Sequence, residues 1–297
     1  MKLRPTQSTK SSRSRSPRGR CAMTNALQLA ALLAFGAAGS AHAQSSTLTF
    51  WGGNGSGQST VPSGLAGSTA IAGGGLHSVA LTSGGSVVCW GSNAFGQTAV
   101  PPGLGVVQAI AAGTNHTLVV RADGTVATWG QNTGIGGSLA VPAGVNGVVA
   151  AAAGNVHSIV LKSAGTVQAW GTNSNGQVTI PAGLSGVTRI AAGSLHNIAL
   201  RNTGVVTCWG AGTVNTGLSF NYGQSVPPAG LANVAAIAGG QFHSIAARAD
   251  GTVATWGQNT GTGGTLAVPA GLSGVTAVAA GNAHSVALRS NGSVVAW

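Results

Sequence analysis

The sequence predicts an all-β propeller built from tandem copies of one small antiparallel sheet. Three observations carry that prediction. Trp-Gly recurs at Trp51, Trp90, Trp129, Trp170, Trp209 and Trp256, and the 297 residues end on Trp297, giving intervals between 39 and 47 residues. A His stands 13 residues before six of these Trp, at His77, His116, His157, His196, His243 and His284. A constant inner distance inside a variable outer one describes a rigid core joined by adjustable loops. The apolar runs are short, rich in Val and Ile and broken by Gly, which is strand patterning. A period near 40 residues with several short strands per unit belongs to propellers or β-solenoids. Abundant Ala and Gly, which let sheets pack closely, favour the propeller.

In chain order, residues 1–43 read as a Sec-type export signal. Basic residues run to Arg20, an apolar stretch spans Ala26 to Phe35, and Ala41-His42-Ala43 fits a small-x-small cleavage site. The apolar stretch is too short to span a membrane. Residues 44–297 form the repeat domain, expected to be a monomer. One unit runs from a strand over Val106–Ala112 to a His strand from His116 and a tight turn at Asp123-Gly124. A Trp strand over Thr125–Trp129, a Gly/Asn loop and Val141-Pro142 complete it. Asp-Gly and Asn-Gly pairs tolerate positive φ and close two-residue hairpins. Seven Trp strands face only six His strands, so one blade is expected to be incomplete. Residues 121–144 and 248–271 agree at 22 of 24 positions, which reads as recent duplication of a three-unit block. Cys89 and Cys208 occupy equivalent positions three units apart and are expected as separate buried thiols.

Charge excludes one class. The formal net charge is +11, but seven of the 13 Lys and Arg lie in the first 20 residues. The repeat domain holds six bases and two acids, too few for a groove that tracks nucleic-acid phosphates.

The pattern Ala-Ala-Gly-x-x-His-Ser-x-x-Leu, followed by Gly-x-Val-x-x-Trp-Gly-x-Asn-x-x-Gly-Gln and Val-Pro-x-Gly-Leu, resembles the repeat of the regulator of chromosome condensation (RCC1) family. The short bacterial exported variety, similar to the secreted β-lactamase-inhibitor propeller, fits best. The resemblance implies a seven-bladed ring closed by strands from both termini. It leaves function open, because the family ranges from nucleotide-exchange factors to inhibitors.

Catalytic chemistry finds little support. The six His recur beside the same neighbours, whereas an active site needs its residues once; each is expected to hydrogen-bond within its own blade. A ring of such positions is too wide for one metal ion. Ser78, Ser158, Ser244 and Ser285 follow a His directly, which is no triad geometry. Asp123 and Asp250 sit in turns for backbone reasons. Gly134–Gly137 and Gly261–Gly264 do not join a strand to a helix, so they are not phosphate cradles. The Trp rings are expected in the core with each indole N–H on a backbone acceptor. No catalytic residue, metal or cofactor is expected.

Two features differ from the shared pattern. Arg121, Lys162, Arg201, Arg248 and Arg289 each lie five residues after a His and are expected to form a basic arc on one rim. The longest interval inserts a loop over Ala211–Gln224 that carries Phe220 and the only Tyr, Tyr222. Phe95 occupies the matching loop three units earlier and Phe242 precedes His243. Aromatics on loops of a rigid scaffold build binding sites. These features point to an exported, non-catalytic module that binds a protein or extracellular polymer through loops on one face, with enzyme inhibition as one form of such binding. The alternatives are a propeller hydrolase or lyase acting on polysaccharide or peptide, a repeat segment of a larger surface protein, and a disfavoured nucleotide-exchange factor.

Overall fold

A computed structural model describes residues 48–297 apart from 66, 132, 135–136, 139, 219 and 259–265. The export signal therefore lies outside the described residues. Six three-stranded antiparallel sheets follow one another, each ordered inner, middle, outer along the chain. Blade 1 comprises Ser68–Gly73, His77–Thr82 and Val87–Gly91; blade 2 comprises Val107–Ala112, His116–Arg121 and Val126–Gly130. Blade 3 holds Val148–Ala153, His157–Lys162 and Val167–Gly171; blade 4 holds Val187–Ala192, His196–Arg201 and Val206–Gly210. Blade 5 holds Val234–Gly239, His243–Arg248 and Val253–Gly257; blade 6 holds Val275–Ala280, Ser285–Arg289 and Val294–Ala296. Two short ribbons, Thr133–Gly134 with Gly137–Ser138 and Asn215–Leu218 with Asn221–Tyr222, decorate the loops after blades 2 and 4.

The blades circle an axis. Each inner strand lies against the inner strand of the next blade, from the first through the sixth. A single cavity of about 40 Å³ is lined by residues of all six, among them Gly74, Thr114, Gly154, Ser194, Gln241 and Asn282. A linear solenoid would not bring the first and last units to one point. The middle strands are buried on both faces, which explains why they read as continuous apolar runs instead of alternating. The core is divided into layers between blades. Leu118 and Val120 of blade 2 pack on Val148, Val160 and Trp170 of blade 3, and Ile198 and Leu200 of blade 4 on Ile237 and Trp256 of blade 5.

One end of each blade is stapled to the next by its hairpin glycine. Gly124 turns at φ +78 and its carbonyl accepts the Val148 N–H at 3.0 Å; Gly251 does the same for Val275 at 3.0 Å. The first Trp unit departs from expectation. Leu48–Trp51 form no strand, and Trp51 is 57% exposed because no sheet encloses it, although Phe50 still meets Trp90 edge-on at 5.2 Å.

Among the described residues, Nδ1 of His77, His116, His157 and His196, Gln177 Nε2, His284 Nε2 and Trp297 Nε1 are buried without a hydrogen-bond partner.

Candidate functional site

The histidines resolve first, because they decide whether the shared pattern carries chemistry. His77, His116, His157, His196 and His243 are at most 1% exposed. Each reaches across to the next blade, whereas the repeat pattern alone predicts a bond within its own. His77 Nε2 lies 3.1 Å from Thr117 Oγ1, His116 Nε2 3.2 Å from Ser158 Oγ, and His157 Nε2 2.9 Å from Asn197 Oδ1. His196 meets Ser244 at 2.9 Å and His243 meets Ser285 at 3.2 Å. The residue directly after each His is thus the acceptor for the His one blade earlier. Sequence spacing could not show this, because the partners are 40 to 48 residues apart.

Proton positions follow. Thr117, Asn197 and Ser244 donate to the main-chain carbonyls of Gln97, Gln177 and Gln224 at 2.8, 2.7 and 2.9 Å. Their remaining oxygen lone pairs accept, so His77, His157 and His196 carry the proton on Nε2, and the equivalence of the repeats extends this to His116 and His243. The same Gln carbonyls accept the indole N–H of Trp129, Trp209 and Trp256 at 3.0, 3.1 and 2.9 Å. The expected backbone acceptor for Trp is therefore present, and it comes from the preceding loop. Burial holds the imidazoles neutral. His77, His157 and His243 are lowered to about 4, and His116 and His196, further disfavoured by neighbouring imidazoles, to about 3.

The rings lie directly over the glycine three residues earlier. A Cβ at Gly74, Gly113, Gly154, Gly193 or Gly240 would collide with the Cε1 of its own His and with a backbone carbonyl of the next blade. The Gly-x-x-His spacing is thus steric. Among the described residues no three His, Cys, Asp or Glu are placed to share a metal ion. Cys89 and Cys208 are free half-buried thiols, each pushed up by burial to about 12. The two Asp serve turns: Asp123 accepts from Thr125 N–H and Oγ1, and Asp250 from Thr252, which holds both carboxyls below their usual range.

The two unusual features fall on opposite ends of the ring. In blades 2 to 5 the middle strand begins at its His and ends at its Arg or Lys, and in blade 6 it runs from Ser285, next to His284, to Arg289. The bases therefore occupy the hairpin end, while the aromatic loops occupy the end where the His strands start and the Trp strands finish. A single binding face combining them is excluded by topology. At the hairpin end three arginines brace the linkers that lead into their own inner strands. Arg121 Nε donates to the Leu104 carbonyl at 2.8 Å, Arg201 Nε to Ser185 at 3.1 Å and Arg289 Nε to Ser273 at 2.9 Å. Arg248 Nη1 donates to Thr252 Oγ1 at 3.2 Å. Lys162 ends its middle strand at the same rim.

At the other end the inserted loop brings three of the four predicted aromatics together. Phe220 stacks on Phe242 with centroids 5.7 Å apart and planes at 26°, and Tyr222 tilts onto Phe242 at 5.2 Å. Phe95, 49% exposed, shares this end but stands in the loop three blades away. Gln224 ties the base of the insertion, accepting the Tyr222 N–H at 2.9 Å and donating to the Phe220 carbonyl at 2.6 Å. Ser225 Oγ closes the base on the Ala211 carbonyl at 2.6 Å.

Six segments of the chain match the regulator of chromosome condensation (RCC1) repeat: residues 69–97, 107–133, 148–177, 187–216, 234–261 and 275–297. The chain belongs to the RCC1-repeat family. Among solved structures this RCC1-repeat protein is similar to yeast RCC1 (Prp20) bound to Kap60, with a TM-score of 0.62 and 23% identity over 77% of this chain and 69% of that one. It is also similar to the CRINKLY WD40 ectodomain of the Arabidopsis thaliana receptor kinase ACR4, with a TM-score of 0.64 and 22% identity over 83% and 86%. The ectodomain of the Physcomitrella patens receptor kinase CR4 gives 0.64 and 22% over 80% of this chain and 63% of that one. At these identities the likeness establishes the propeller fold. No curated protein matches the sequence.

Proposed function

We propose that this RCC1-repeat propeller is an exported, non-catalytic binding module that engages a protein or extracellular polymer through its aromatic end. The observation that carries this reading is the clustering of Phe220 and Tyr222, on the longest inserted loop, against Phe242 of the following blade. Most shared residues are occupied elsewhere: five His in blade-to-blade bonds, Trp90, Trp129, Trp209 and Trp256 on Gln carbonyls, and four arginines on linkers and hairpins. The leader over residues 1–43 supports export, and a partner-binding role is in keeping with yeast RCC1 (Prp20), similar in fold, which binds Kap60. Enzyme inhibition would be one form of that binding.

The test is recovery of partners from culture medium by the immobilised protein. Partners retained by the wild type are expected to be lost, by tenfold or more in affinity, with Phe220→Ala plus Tyr222→Ala, since hot-spot aromatics each contribute more than about 1 kcal/mol. They are expected to persist with Arg121→Glu plus Arg248→Glu. The reverse pattern, with both variants folded, would move the site to the basic rim.

A further inference from the structure

We infer that the aromatic ledge and the axial depression beside it form a site for a neutral polysaccharide chain. This rests on the binding-module reading and specifies its partner.

The ledge presents ring surface to water. Phe220 is 48% exposed, and Phe242 and Tyr222 are half-buried against it. Phe220 also holds φ at 70°, a left-handed backbone that a bulky side chain rarely adopts. Gln224 Nε2 holds its carbonyl there at 2.6 Å, so the backbone is fixed at a conformational cost, and stacking on Phe242 steadies the displayed ring. Strain of this kind concentrates at ligand-holding positions. A locked aromatic loses little freedom when it binds, which favours affinity.

Charge narrows the ligand. Among the described residues, Arg121, Asp123, Lys162, Arg201, Arg248, Asp250 and Arg289 all stand at the hairpin end, and Arg189 lies in the half of its inner strand nearer that end. Among the described residues the ledge end carries no Lys, Arg, Asp or Glu, so an ionic ligand would lose hydration there without finding a counter-charge.

Hydrogen bonding narrows it further. Gln241 lines the axial depression together with Thr114, Ser194 and Asn282, and it directly precedes Phe242 of the ledge. Flat apolar ring faces therefore adjoin neutral hydroxyl and amide groups. A pyranose has that complementary character: a C–H face that stacks on an aromatic ring, and equatorial hydroxyls that pair with amides and hydroxyls. The depression, at about 40 Å³, admits a hydroxyl and not a sugar ring, so the stacking falls to the open ledge, which suits a chain lying across the surface and not an enclosed monosaccharide.

The experiment is native affinity electrophoresis of the purified protein through gels containing laminarin or hydroxyethyl cellulose, with alginate as the anionic comparison. A neutral glucan is expected to retard the protein, equally at about 0.05 and 0.5 M salt because no ion pair is involved. Phe220→Gly, whose glycine suits the left-handed backbone, combined with Tyr222→Ala is expected to weaken retardation about tenfold or more while preserving the fold. Arg121→Glu plus Arg248→Glu is expected to leave it unchanged. Retardation by alginate alone, with salt dependence, would overturn the proposal, as would no retardation by either neutral glucan. If a polyproline peptide or a captured protein bound through Phe220 and Tyr222 while no glucan did, the polysaccharide assignment would fail and the binding-module reading would stand. Loss of both would end both.

Discussion

Acidification from pH 7 towards pH 4 is expected to unfold the protein cooperatively. Five buried imidazoles drive this. In the unfolded chain each titrates near 6.5, whereas in the fold His77, His157 and His243 are lowered to about 4 and His116 and His196 to about 3. Below pH 6.5 the unfolded chain therefore binds protons that the folded chain refuses, and stability falls as pH drops towards the folded values. Each group contributes about 1.4 kcal/mol per pH unit across that window, so five together give a slope near 7 kcal/mol per unit. Domains of ordinary stability hold about 5–15 kcal/mol, which this slope exhausts within one to two units. Asp123 and Asp250 are exposed and act in the same direction only at lower pH. Tryptophan fluorescence and circular dichroism between pH 7 and pH 4 check this; an unchanged thermal midpoint at pH 4 would show that the imidazoles are not buried neutral.

Gly193→Ala is expected to destabilise the fold by about 3 kcal/mol or more, in the range of severe core overpacking. The added methyl would occupy the space of the His196 ring and press on the Gly240 carbonyl. Adding His196→Ala removes the ring but not the carbonyl, and forfeits the bond to Ser244. The double variant should therefore cost clearly less than the sum of the two singles, the signature of residues in contact. Denaturant midpoints of the three variants decide the matter, and strict additivity would refute the steric account of the Gly-x-x-His spacing.

Much of the architecture was legible in the sequence, because a rigid unit repeated at near-constant spacing writes its strand order into residue positions. The hairpin at Asp123-Gly124, the strand ending at Trp129 and the equivalence of Cys89 with Cys208 all follow from local pattern. What escaped was everything that joins one unit to the next. His157 meeting Asn197, and Trp209 meeting the Gln177 carbonyl, are contacts between separate blades, and a single sequence gives no register between blades. Arg121 and Phe220 both sit near turns, and only the alternation of strand direction shows that those turns open at opposite ends. Trp51 shows the limit of pattern from the other side: it carries the Trp-Gly signature yet stands exposed, because burial comes from neighbouring sheets and not from the motif.

Because the five inter-blade imidazoles tie each blade to the next, their nitrogen resonances provide the sharpest check. Long-range proton–nitrogen spectra at pH 7 should show His77, His116, His157, His196 and His243 as neutral rings protonated on Nε2, unchanged on acidification until the fold itself is lost. A ring among them protonated on Nδ1, or titrating near pH 6.5 in the folded protein, would contradict the account.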